Sequence, residues 1–182
     1  MKNGRFTKAS EVFEAFPTLQ QDMATAGSDK SPLDFLKECA EGEQPEDAVT
    51  FAAYLLDRRS AVWWACHCAR QMGTPVNRDE EVALLTAEAW VREPEEHRRV
   101  AALNLGLSGD HKLPGVWLAL AAGGAGGTFM IDDAPGPPVP ANLCARSARS
   151  AVFLALARMP FRERPKYIAQ CTETCRNLLL RA

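Results

Sequence analysis

The chain has 182 residues, a formal net charge of −2, 47% hydrophobic and 24% charged residues, and a pI near 6.0. A chain of that size buries roughly 70% of its unfolded surface, so folding requires neither metal nor disulfide. The near-neutral balance argues against an electrostatic nucleic-acid binder, and no run approaches the ~18 apolar residues that a membrane span needs.

Residues 1–8 carry basic side chains without a following apolar stretch, so they do not read as a signal peptide. They show no periodicity and are expected to be loosely held. A cytoplasmic location follows as the expectation, with the six cysteines kept reduced, since their spacing forms no disulfide framework. Charge is uneven. Residues 141–182 carry 8 Lys/Arg against 2 Asp/Glu, and residues 1–140 carry 13 against 21. Pairing between the two halves is the plainer explanation, and a basic C-terminal face for an acidic partner is the functional one.

Ser31-Pro32 supplies an N-cap followed by a proline at the first helical position, and Gly42 closes that helix. Gln44-Pro45-Glu46-Asp47 opens the next, whose apolar face is Val49, Ala52, Ala53, Leu55 and Leu56. A tryptophan-rich helix is expected to start at Ser60 and stop at Gly73-Thr-Pro75. Asn77 caps the following helix, where Val82, Leu85, Thr86, Ala89 and Trp90 fall on an i, i+3, i+4, i+7, i+8 stripe. Glu88 and Arg92 form an i,i+4 pair on its wet side. Glu93-Pro94-Glu95-Glu96 begins a further helix with Val100, Leu103 and Leu107 on one face. Leu113 to Ala122 reads as a short apolar helix.

Residues 123–140, rich in Gly and Pro, are expected to form one long loop with a short extended piece at 129–131. Helices at about 141–158 and 162–180 complete the chain. A faint echo links Arg59-Ser-Ala-Val-Trp with Arg149-Ser-Ala-Val-Phe, without a visible repeat period. The expected fold is all-α. Residues 1–182 make a single helical domain, an irregular or helical-repeat-like bundle of about seven or eight helices. Trp63, Trp64, Trp90 and Trp117 anchor its core or edges.

Chemistry-bearing residues are sparse. On the tryptophan-rich helix, Val62, Ala65, Cys66, Cys68, Ala69 and Met72 cover one broad side. Trp63, His67, Arg70 and Gln71 share the remaining sector, and Trp64 lies at its edge. That strip is either the wet edge of a buried helix or a recognition surface, because Trp and Arg are common interface anchors. Cys66 and Cys68, two apart in a helix, stand at opposite margins of that broad side and cannot readily share one ion, so no metal site is expected, although Cys171 and Cys175 stand at i,i+4. Gly123-Gly-Ala-Gly-Gly127 lacks the Lys-Ser/Thr ending of a P-loop, and no cofactor is expected. Adjacent carboxylates such as Asp132-Asp133 and Glu95-Glu96 seldom face one reacting centre. Asp110-His111 is the only dyad in reach of an enzymatic reading, and it has no nucleophile elbow beside it.

Three segments carry a resemblance. They are Arg59-Ser-Ala-Val-Trp-Trp-Ala-Cys-His-Cys-Ala-Arg70, the stretch Gly115-Val-Trp-Leu-Ala-Leu-Ala-Ala-Gly-Gly-Ala-Gly-Gly-Thr-Phe129, and residues 137–158. In this order they resemble a family of small, uncharacterised bacterial proteins whose genes often accompany type VI secretion components. The resemblance covers about residues 30–180, with Val-Trp-Trp-Ala its most specific part. It implies a Gram-negative cytoplasmic accessory role and brings no catalytic residue.

The resulting expectation is a non-enzymatic adaptor or chaperone-like protein that holds a secretion component or effector. Trp63, His67, Arg70, Trp117 and Phe129 are the expected partner-binding residues. The alternative is an immunity-type inhibitor whose acidic 1–140 region masks a basic cleft on a toxic effector. A small helical enzyme using Asp110 and His111 comes third; it needs a ligand-shaped pocket between the Trp117 helix and the Gly-rich loop.

Overall fold

Side-chain caps start three of the helices, and the described residues form ten α-helices with one short hairpin. The computed structural model describes residues 5–131 and 134–181. The helices are α1 (Ala9–Ala15), α2 (Leu19–Asp22), α3 (Pro32–Glu41), α4 (Glu46–Leu55), α5 (Arg58–Gln71), α6 (Arg78–Arg92), α7 (Glu96–Ser108), α8 (Pro114–Gly123), α9 (Leu143–Ala157) and α10 (Arg164–Arg181). The predominantly all-α reading therefore holds. Strands β1 (Thr128–Ile131) and β2 (Ala134–Pro138) pair antiparallel between α8 and α9.

Ser31 caps α3 by accepting the Asp34 N–H, and Asn77 caps α6 by accepting the Glu80 N–H. The start of α5 differs from the sequence reading. Asp57 is the N-cap and accepts the Ser60 N–H at 3.1 Å, which places Ser60 inside the first turn.

The apolar helix α8 is buried from Pro114 to Gly123 except at half-buried Trp117, and it packs against α6, α7 and α9. Glycines set its closest approach to α7. A Cβ on Gly106 would lie 2.6 Å from Leu120 Cα, and one on Gly123 would lie 2.3 Å from Leu103 Cα. Helix α5 packs on α9 and α10, so the two echoing segments lie on neighbouring helices.

Two helix faces are turned from their expected orientation. On α6 the buried residues are Glu80, Ala83, Leu84, Ala87 and Trp90, whereas Val82 and Leu85 are exposed. The buried face is turned by more than about 100° round the helix from the expected stripe, and Trp90 alone belongs to both. Small Ala83 and Ala87 lie on the packed side beside Leu84, where they allow close approach, and Val82 and Leu85 face out. On α7 the buried face is Arg99, Ala102, Leu103 and Gly106. Of the expected residues only Leu103 belongs to it, and Leu107 is exposed.

The expected loop over 123–140 is partly a hairpin. The extended piece is β1, and Met130 and Ile131 pair with Pro135 and Ala134. Three prolines in β2 argue against a strand from sequence; they are tolerated because a two-stranded sheet has only edge strands.

Helices α1 and α2 have no counterpart in the sequence reading. They bury Val12, Phe16 and Leu19, with Met23 just beyond. Their aromatic rings meet the body, Phe16 against Tyr54 at 5.3 Å and Phe13 against Phe35 at 6.0 Å. Residues 5–8, expected to be loose, are tied in. The Thr7 N–H donates to Glu11, Lys8 Nζ pairs with Asp29 at 3.0 Å, and the Arg5 guanidinium lies over Phe6 and Phe16. The expectation for residues 1–4 falls outside the described residues. The charge halves do pair with each other, Arg146 with Asp22 and Arg158 with Glu80, each at 2.9 Å.

Candidate partner-binding cleft

Helix α5 is buried on most of its circumference, and its wet strip carries Trp63, His67 and Arg70. Helix α6 lies alongside and contributes Glu88, Val91 and Arg92. Together with Cys66 these residues line a cleft of about 270 Å³.

The aromatic wall is flat. The Trp63 and His67 rings stack with centroids 5.1 Å apart and planes within 7°. Gln71 Nε2 stands 3.1 Å from His67 Nε2. Trp63 is 40% exposed. Trp64 and Trp117 each donate the indole N–H to a backbone carbonyl, and Trp63 donates to none among the described residues.

The opposite wall is ionic. Arg70 grips Glu88 with both prongs, Nε to Oε1 at 2.5 Å and Nη2 to Oε2 at 2.8 Å. Arg92 reaches Glu88 only at 3.8 Å, with its side chain 71% exposed. Arg59 donates to Val91 O at 2.7 Å and Arg92 O at 3.1 Å, which places a cation on the carbonyl end of α6. Cys66 lines the cleft from a buried position, and burial, with the Glu88 charge adding to it, raises its thiol pKa. It is a neutral, poorly nucleophilic surface there.

The cleft thus unites Trp63, His67 and Arg70 and leaves out the other two expected residues. Trp117 is half-buried on α8, donating to His111 O at 2.8 Å with its ring edge-on to His111. Phe129 is half-buried on β1. Sequence reasoning did not assign Glu88, Val91, Arg92 or Cys66 to the site. The Glu88–Arg92 pair was legible, but its meeting with α5 is a tertiary fact.

The enzymatic alternative has little geometry behind it. His111 Nε2 lies 2.8 Å from Gly106 O, and Asp110 accepts the Lys112 N–H, so the two side chains form no dyad. The Asp132-Asp133 pair lies outside the described residues. The space between α8 and the Gly-rich loop is filled by side chains. Arg99 donates to Gly123 O and Thr128 O, and Arg58 donates to Ala125 O. A phosphate cradle offers N–H groups, whereas this loop aims carbonyl oxygens at guanidinium ions. Among the described residues no three His, Cys, Asp or Glu side chains are grouped so as to hold a metal ion, and no helix is long and apolar enough to cross a membrane.

A second groove of about 420 Å³ lies between the outer faces of α6 and α7, lined by Val82, Leu85, Ala89 and Ala101 with His97 and Arg98 at its rim. Residues 35–179 match one family model, so α1 and α2 precede the matched region. No curated protein and no solved structure matches the chain.

Proposed function

The chain belongs to DUF6931, the family of unknown function whose model residues 35–179 match, and we propose that it is a non-enzymatic adaptor or chaperone-like protein that holds a protein partner in the α5–α6 cleft. The observation that carries this reading is the exposed Trp63 indole, stacked on His67 in a cleft that the Arg70–Glu88 pair also lines, on two packed helices. Leaving a tryptophan half in water is costly unless something covers it. Rigid Trp and Arg side chains supply much of the energy at protein interfaces. The resemblance of the Val-Trp-Trp-Ala segment supports a cytoplasmic role beside type VI secretion components, with a secretion component or effector as the partner.

The test is affinity capture from the native bacterium with the wild-type chain and with a Trp63→Ala, Arg70→Ala double variant. Stoichiometric recovery of one protein by the wild type, lost in a folded double variant, is the expected outcome. Equal recovery by both removes the cleft from the interface. Rescue of cells expressing the captured protein would separate an inhibitor of a toxic effector from an adaptor.

A further inference from the structure

The cleft also specifies the chemistry of what enters it. Resting on the reading that the cleft is the partner-binding surface, we infer that it takes an acidic–aromatic pair from an extended peptide segment. A planar ring lies against Trp63, and a neighbouring carboxylate is met by Arg92 and the Trp63 indole N–H.

Size comes first. At about 270 Å³ the cleft falls below the ~300 Å³ at which pockets for drug-sized ligands begin, which suits one side chain rather than a cofactor. Shape comes next. His67 covers one face of Trp63 and holds it nearly parallel, so the remaining indole surface is a flat wall in a cleft that neutral Cys66 and Val91 also line. An aromatic ring stacks or meets such a wall edge-on, at centroid separations of roughly 4.5–7 Å.

Charge decides the flanking group. Three guanidinium groups, Arg59, Arg70 and Arg92, gather at this edge of α5 and α6 against Glu88, with Glu81 adding a weaker field at Arg70. Glu88 already has both oxygens on Arg70, so an incoming cation would have to displace an internal bidentate pair. An incoming carboxylate displaces nothing. Arg92 is exposed and only loosely paired at 3.8 Å, and the Trp63 N–H has no acceptor among the described residues.

The experiment is a two-dimensional ¹⁵N NMR titration of the full chain, with the Trp63 indole signal identified by its loss in Trp63→Phe. The probes are N-acetyl-Asp-Phe-Asp-amide, N-acetyl-Lys-Phe-Lys-amide and N-acetyl-Asp-Ala-Asp-amide. The expected result is a saturable shift of the Trp63 signal with the first peptide, binding about tenfold tighter than either control, and roughly fivefold weaker binding in Arg92→Gln. The buried Trp64 signal should stay still.

Equal or tighter binding of the Lys peptide overturns the inference, as does insensitivity to Arg92→Gln. Absence of saturation by ~10 mM of the acidic–aromatic peptide, well beyond a millimolar Kd, does so too. If the peptides fail while capture of the native partner still requires Trp63 and Arg70, the acidic–aromatic assignment falls and the cleft remains the interface. If capture ignores both residues, the functional reading falls as well.

Discussion

Two adjacent tryptophans on one helix have opposite roles. Trp64 is wholly buried and donates its indole N–H to Cys171 O at 2.9 Å, whereas Trp63 stands in water. Trp64→Ala is therefore expected to cost about 3–5 kcal/mol and Trp63→Ala clearly less, because 40% of Trp63 is already in water; urea denaturation checks both. The sequence put Trp63, His67 and Arg70 on one strip of this helix but could not say which tryptophan points inward, because the deciding contact comes from α10, 107 residues away in the chain. Cysteines tell a similar story. All six are buried, and burial pushes Cys39, Cys144 and Cys175 up to about 12. Tyr54 is raised to about 12 by burial and then by its bond to Asp22. Near neutral pH a disulfide reagent should label few thiols in the native chain and six in denaturant. Because these folded pKa values exceed the unfolded ones, their contribution is intact below about pH 9 and is lost as pH climbs toward 12. A urea midpoint that held steady through that alkaline range would contradict the assignment.

The contact between α7 and α8 is made by what is missing from it. Ala at Gly123 raises helix propensity by about 1 kcal/mol, but its Cβ would stand 2.3 Å from the Leu103 backbone. Overpacking costs typically 1–3 kcal/mol, and a clash with main chain cannot be relieved by a rotamer. Gly123→Ala should therefore lower the thermal midpoint, and a rise would mean the helices part easily. Caps and breakers made most of these elements legible: Ser31, Asn77 and Gly73 each act where the sequence pattern put them. Orientation was less legible. The expected α6 stripe ran through Val82, Leu85, Thr86, Ala89 and Trp90, whereas the packed face joins Ala83, Leu84, Ala87 and a buried Glu80 to Trp90. Hydrophobic periodicity misses a face whose value lies in small volume, or in a charge whose partner is far away. The same limit applies to the cleft, whose α5 half was visible and whose α6 half depended on that rotation.

Across the molecule, a few polar ties join distant segments. The Glu80 carboxylate, with no exposure, accepts from Arg158 of the α9 C-terminal end at 2.9 and 3.0 Å, from Val76 N at 2.8 Å and from Gly115 N at 3.3 Å. Arg158→Met leaves that carboxylate buried without its counter-ion and should cost about 3–5 kcal/mol. Adding Glu80→Gln should recover part of the loss, and an unfolding curve for Arg158→Met that overlays the wild type would remove the tie from the account. Asp22 works likewise at the N-terminal side, taking Tyr54 Oη at 2.6 Å and Arg146 at 2.9 Å. The two N-terminal helices escaped the sequence reading because each is at most seven residues long, too short to show a period, and held by such distant partners. The bond from Trp64 to Cys171 has one more implication, for the order of synthesis. A ribosome that has finished α5 has made a helix whose largest side chain lacks its acceptor until α10 emerges. Over the 107 residues that separate Trp64 from Cys171 the nascent chain holds an unsealed tryptophan, and the arrival of α10 closes that part of the core.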